Sequence, residues 1–136
     1  MDSCIFCKIA KGEIPCSKVF ENDSVLAFLD IAPINKGHAL VIPKKHYVDI
    51  HDLPESEFKE IAVGVKAVAD AVKKATGCPG INVLQANGKA AGQEVFHFHV
   101  HVIPRFEKDG SGMRWPKMDY SENEMGELAE KIRALL

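Results

Sequence analysis

His97-Phe98-His99-Val100-His101-Val102-Ile103 decides how this chain is read. Successive side chains of an extended strand point to opposite faces. The spacing therefore predicts a strand with three histidines on one face and Phe98, Val100 and Val102 on the other. A histidine-rich surface strand is the plainer alternative, but the apolar opposite face and its continuation into Val102-Ile103 favour buried sheet. Imidazole is the one side chain whose ordinary pKa lies near neutrality. Such a row suits attack, metal binding or proton donation to a phosphate.

The flanking sequence supplies the rest of an α+β fold. Val25-Leu26-Ala27-Phe28-Leu29 and Ala39-Leu40-Val41-Ile42 are short apolar runs separated by Pro33 and Asn35-Lys36-Gly37, which predicts two neighbouring strands. From Glu55 to Thr76, Phe58, Ile61, Ala62, Val65, Val68, Ala69 and Val72 recur at helical spacing, with Pro54 before them and Gly77 after. Ile81-Asn82-Val83-Leu84-Gln85 reads as a strand, and a loop over residues 88–92 leads to the histidine strand, which runs to about Arg105. Ser121-Glu122-Asn123-Glu124 is a capping-box pattern for a closing helix. Its apolar face, Met125, Leu128, Ala129, Ile132, Leu135 and Leu136, is expected to pack into the core.

With 136 residues, 46% of them hydrophobic, the chain can form a single domain over 1–136 with one core. Seventeen Lys and Arg against nineteen Asp and Glu give a formal net charge of −2, without the basic excess of a duplex-binding surface, so no nucleic-acid partner is expected. The sequence opens without a basic segment and apolar stretch, and no run approaches the roughly eighteen apolar residues that cross a bilayer. The expected location is therefore the cytoplasm, with no membrane partner. In that compartment Cys4-Ile5-Phe6-Cys7 favours a metal site over a disulfide, and a closed zinc site needs two further ligands.

Together with Gly92-Gln93 just before it and Gly37-His38-Ala39-Leu40-Val41-Ile42-Pro43-Lys44 upstream, the histidine stretch resembles the histidine triad (HIT) family of nucleotide hydrolases and transferases. The resemblance runs from Ile5-Phe6 to at least Arg105, with residues 106–136 outside it, and combines separate motifs in the family's order. It implies a five-stranded antiparallel sheet with a long helix and a C-terminal helix, in a homodimer whose sheets join. It also implies a hydrolase of purine nucleoside 5′-phosphate conjugates, nucleoside phosphoramidates foremost, acting through a covalent nucleotidyl-histidine.

By the same resemblance, His99 is the nucleophile, His101 donates to phosphate oxygens or the bridging atom, and His38 supports the nucleophile by hydrogen bonding. Gln93 matches a phosphate-contacting position and Asp30 a ribose-holding one, although a solvated turn aspartate is the plainer alternative. Phe6, Ile9, Phe28, Ile31 and Leu40 would line a purine slot or serve as core. Asn87, in the loop before Gly92, joins the ligand-binding set. The zinc-bearing subset of the family places a structural zinc on Cys4, Cys7, His46 and His97, and no catalytic metal is required. Cys16 and Cys78 read as small apolar residues, and His51 has no assigned role.

Glu94 departs from the family's best-known branches, which carry Ser or Thr there. A carboxylate beside a phosphate repels it unless turned away or protonated, and residue 94 takes the face opposite His97 only if the strand stays regular past the Gly92-Gln93 turn, so no phosphate contact is assigned to it. Val102-Ile103-Pro104-Arg105 resembles the ending of dinucleoside polyphosphate hydrolases, the alternative activity. An AMP-binding sensor with little turnover is the alternative of another class. A catalytic zinc held by all three triad histidines is opposed by their span of about 13 Å along a strand. Trp115, within residues 110–120, is expected to reach across a dimer and shape leaving-group preference.

Overall fold

Two apolar runs set the layers. In the computed structural model, which describes residues 3–112 and 115–136, β2 (Val25–Leu29) and β3 (Ala39–Pro43) are buried almost throughout. Burial on both faces marks central strands. They pair antiparallel, with Leu26 opposite Ile42 and Phe28 opposite Leu40. β1 (Lys18–Glu21) lies outside β2, while β5 (Val100–Arg105) lies on the other side of β3 with β4 (Gly80–Leu84) beyond it. Every pairing in the order β1-β2-β3-β5-β4 is antiparallel.

The alternation of side chains then sorts the two faces. Val25, Ala27, Ala39, Val41, Phe98, Val100 and Val102 form one core with Ile61, Val68 and Val72 of α2 (Glu55–Thr76). The helix lies close to the sheet because Gly64 faces it: a Cβ there would sit 3.2 Å from a methyl of Val25. On the opposite face, Leu26, Phe28, Leu40 and Ile42 pack with Phe6 of α1 (Ile5–Ala10).

The histidine strand is shorter than its sequence suggests. The ladder begins at Val100, and residues 95–97 bend. Phe98 N–H donates instead to the Tyr47 carbonyl at 2.6 Å, outside the sheet. Even so, Phe98 is in the α2 core, so the facial alternation persists where strand pairing does not. β4 begins one residue earlier than expected. The short elements α1 and β1, of six and four residues, carry too few turns of pattern to be read from periodicity.

α3 (Glu124–Arg133) exists, and Glu124 Oε1 accepts from Ser121 N–H at 3.1 Å, half of the expected capping box. Its predicted packing is corrected: no residue of α3 is buried, and Met125, Leu128, Ile132, Leu135 and Leu136 are exposed. The sheet faces are already covered by α2 and by the α1 cluster, which leaves this stripe no apolar layer to join. Among the described residues, no helix is long and apolar enough to cross a membrane.

Phe98 is fully buried and its ring meets Phe58 edge-on at 6.2 Å. Phe98→Ala is expected to lower unfolding free energy by about 3–5 kcal/mol, measured by urea titration. A loss below about 1 kcal/mol would show that this position does not anchor the segment to α2.

Candidate active site

The turn before β3 is built to aim one side chain. Asn35 carbonyl accepts from His38 N–H at 3.0 Å, closing a turn in which Gly37 adopts φ +100°. A Cβ at Gly37 would also lie 2.8 Å from the Thr76 methyl, so both conformation and space call for glycine. Asn35 Nδ2 donates to the Pro104 carbonyl at 2.9 Å and to Asp109 at 2.8 Å, fastening the turn to the end of β5. In consequence Ile34 N–H donates to His38 Nδ1 at 3.1 Å.

That bond fixes the proton positions of a relay. Since Nδ1 of neutral His38 accepts, its proton is on Nε2, which donates to His101 Nδ1 at 2.9 Å. His101 therefore carries its own proton on Nε2. His99 is set the opposite way, because its Nδ1–H donates to the His97 carbonyl at 2.7 Å and leaves the Nε2 lone pair unprotonated. The His99 and His101 ring centres are 4.9 Å apart, so one cleft holds an imidazole lone pair beside an imidazole N–H donor. Phe6 stands edge-on to His99 at 5.2 Å.

Burial keeps these rings neutral. It pushes His101 down to about 4, helped by His99 and His38, and lowers His99 and His38 against the opposing pull of the Asp30 carboxylate. His38 supports His101 rather than the expected His99, whose partner is a backbone carbonyl. The β3–β5 register explains this: Leu40 stands opposite His101, which brings the turn residue His38 alongside that ring.

The cleft has a volume of about 420 Å³. Phe6, Ile9, Phe28, Ile31 and Leu40 all line it, as do Asp30, His99 and His101. Phe6, Phe28 and Leu40 are also core residues, so the two readings of these positions coincide, while Ile31 is fully exposed at the mouth. Asp30 Oδ1 accepts from Ala32 N–H at 2.9 Å, and Oδ2 lies 3.8 Å from His38 Nε2.

Gln93 and Asn87 are placed elsewhere. Gln93 accepts from Gly88 N–H and donates to the Val48 and Val95 carbonyls, so its amide organises the loop. Asn87 exchanges hydrogen bonds with Gln85 and accepts from Ile50 N–H. Neither lines the cleft, but Glu94 does, because the bends at 95–97 bring it round to the histidine face. Arg105 is spent within the chain, on Asp109 and Asn82. The orienting carbonyls of His97 and Pro43 and the Ile34 N–H carry no sequence signal, since any residue could supply them.

Beside the cleft, Cys4, Cys7, His46 and His97 place four ligand atoms within 4.8 Å of one another. His97 Nδ1 lies 3.5 Å from both thiols, and His46 Nδ1 lies 3.3 Å from Cys7. Tetrahedral zinc with ordinary Zn–S and Zn–N bonds separates S from N by about 3.6 Å, so the set fits. His97 Nε2–H donates to the Pro43 carbonyl at 2.8 Å, which directs the Nδ1 lone pair at the thiols. Asp30, His38 and His101 form a second group close enough for a metal. Its hydrogen bonds oppose one: ligation through His38 Nε2 would put the proton on Nδ1, facing Ile34 N–H.

The neutral pair has a pH signature. Unfolded imidazole takes up a proton near pH 6.5, whereas folded His101 does so only near 4. Between those values the unfolded chain binds more protons, so stability present above pH 6.5 is lost as pH falls through the window. Urea midpoints at about pH 7.5, 6 and 4.5 should fall in that order, and a constant midpoint would contradict buried neutral imidazoles.

Comparison with known proteins places this arrangement. The HIT domain family matches residues 11–108. An adenosine 5′-monophosphoramidase of Schizosaccharomyces pombe is 50% identical over 131 residues, 96% of each chain. The crystal structure of a HIT family protein from Bacillus anthracis superposes with a TM-score of 0.93 at 44% identity, covering 99% of this chain and 98% of that one. A Zn-bound histidine triad family protein from Mycobacterium smegmatis superposes at 0.78 with 37% identity over 98% of each. With its fold and its histidine stretch in the family's arrangement, the chain belongs to the histidine triad family.

Proposed function

We propose that the chain hydrolyses purine nucleoside 5′-phosphate conjugates, nucleoside phosphoramidates foremost, through a nucleotidyl-histidine intermediate on His99. The observation that carries this reading is the opposed orientation of two neutral imidazoles, with a free lone pair on His99 Nε2 and a proton on His101 Nε2. The relative in Schizosaccharomyces pombe, named an adenosine 5′-monophosphoramidase, supports the substrate class.

In the proposed reaction His99 Nε2 attacks the α-phosphorus, a P–Nε2 bond forms, and the bond to the leaving amine breaks as that amine takes a proton from His101 Nε2–H, which the attacking water later restores. His101 Nε2–H hydrogen-bonds the phosphate oxygens or the bridging atom, and His38 holds its orientation. Water then attacks phosphorus, restoring His99 and releasing the nucleoside monophosphate. Asp30 accepts from the ribose hydroxyls, and the apolar wall from Phe6 to Leu40 takes the base.

The cysteine–histidine set would hold a structural zinc, tying α1 to the segment that carries His97. With all four positions supplied by protein, the ion serves the fold rather than the reaction. A homodimer and a cytoplasmic location complete the reading. The uncovered α3 stripe favours a partner copy, and four cysteines outside any disulfide suit a reducing compartment. Trp115, largely exposed, remains assigned to leaving-group selection across that dimer, while its neighbours Met113 and Arg114 lie outside the described residues.

Intact-protein mass spectrometry during turnover of an adenosine phosphoramidate, quenched without acid, should detect an adenylyl adduct in wild type and none in His99→Ala. In the variant kcat/KM should fall by at least about 10⁴-fold. Hydrolysis that survives the substitution overturns the mechanism, and nucleotide binding without adduct or product favours a sensor. Separately, Cys4→Ser should reduce bound zinc and the thermal midpoint while adduct formation persists in folded protein. Wild type purified without any bound metal would refute the zinc assignment.

A further inference from the structure

The cleft is electrostatically unusual for one that handles a phosphate. Among the described residues its lining includes two carboxylates, Asp30 and Glu94, and neither lysine nor arginine. His101 contributes no positive charge at neutral pH, because burial holds it near 4, and the His99 ring is set with its Nδ1–H on the His97 carbonyl and its Nε2 lone pair free. A phosphoryl group entering this cleft therefore meets neutral donors and net negative charge.

The two carboxylates are not equivalent. Asp30 is engaged by Ala32 N–H and sits beside His38. Glu94 is exposed and takes part in none of the ion pairs among the described residues. It lines the cleft together with Gly92, Val95, His99 and His101, the two imidazoles among them being the ones oriented for phosphate chemistry. A carboxylate offers phosphate oxygens nothing but repulsion, yet it attracts a cation placed beyond the phosphorus.

We propose that Glu94 is a specificity-determining residue that selects leaving groups carrying a positive charge, so that the preferred substrates are nucleoside phosphoramidates of diamines or other amines with a second, protonated nitrogen. The inference rests on the hydrolase reading above. The cationic end of the leaving group pairs with Glu94, offsets its repulsion of the phosphoryl oxygens, and is released with the amine. An anionic leaving group meets the same carboxylate and is disfavoured.

The test compares three adenosine 5′-phosphoramidates of matched length, made from butane-1,4-diamine, pentylamine and 4-aminobutyrate. Wild type should show kcat/KM in the order cationic, neutral, anionic, with about three- to tenfold between neighbours. Added salt should compress the series. In Glu94→Gln the ratios should shrink to the intrinsic differences in amine reactivity, while Glu94→Asp should keep part of the wild-type order.

Equal ratios in wild type and Glu94→Gln, with turnover still dependent on His99, overturn this inference alone. A uniform loss on all three substrates in Glu94→Gln also overturns it, assigning the carboxylate to the nucleoside instead. So does neutral-substrate activity that rises with magnesium in wild type and not in the variant, which assigns it to a metal ion. Absence of His99-dependent hydrolysis of any of the three overturns the hydrolase reading and this inference with it.

Discussion

A neutral imidazole can donate from only one of its two nitrogens, and in this protein the main chain decides which. The Ile34 N–H forces His38 to donate toward His101, and the His97 carbonyl forces His99 to present a lone pair. Both choices rest on rigid neighbours: a turn closed at Gly37 and clamped by Asn35, and a bent segment held by Phe98 in the α2 core. If either backbone group moved, the ring would be free to take the wrong tautomer without any change in its position. The chemistry of the cleft is thus set by fold geometry as much as by the presence of histidines.

The N-terminal segment is held by the same economy of contacts. α1 has six residues, too few for a stable helix on its own, yet it supplies Phe6 to the cleft wall and Cys7 to the cysteine–histidine group. Packing on Leu26, Phe28, Leu40 and Ile42 and the thiol–imidazole contacts to His46 and His97 give it two attachments to the sheet side. Its position then fixes one wall of the cleft, with Phe6 edge-on to both His97 and His99.

Elements with long or doubly buried patterns were legible in the sequence. β2 and β3 followed from uninterrupted apolar runs, and α2 from its stripe between Pro54 and Gly77. The alternation at 97–102 predicted the two faces correctly even though strand pairing starts only at Val100, because facing depends on local extension and not on a ladder. α3 was legible as a helix, but its stripe could not announce that both sheet faces were already occupied. The face of Glu94 stayed open in the sequence for a related reason: parity counting assumes a straight strand, and residues 95–97 bend. Gln93 and Asn87 look like ligand-binding amides in a sequence, yet their polar atoms are committed to their own loop and to the main chain at Val48 and Ile50.

His97 is used twice, and the two uses belong to different parts of the residue. Its ring faces the thiols, whereas its carbonyl steers His99. Any amino acid that kept the local backbone path would preserve the second service while abolishing the first. Mutational drift at this position is therefore asymmetric: a lineage could abandon the cysteine–histidine set and keep the orientation of the His99 ring, provided side-chain packing replaced the lost attachment. The reverse, retaining the ring while disturbing the carbonyl, would require a change in the bend itself.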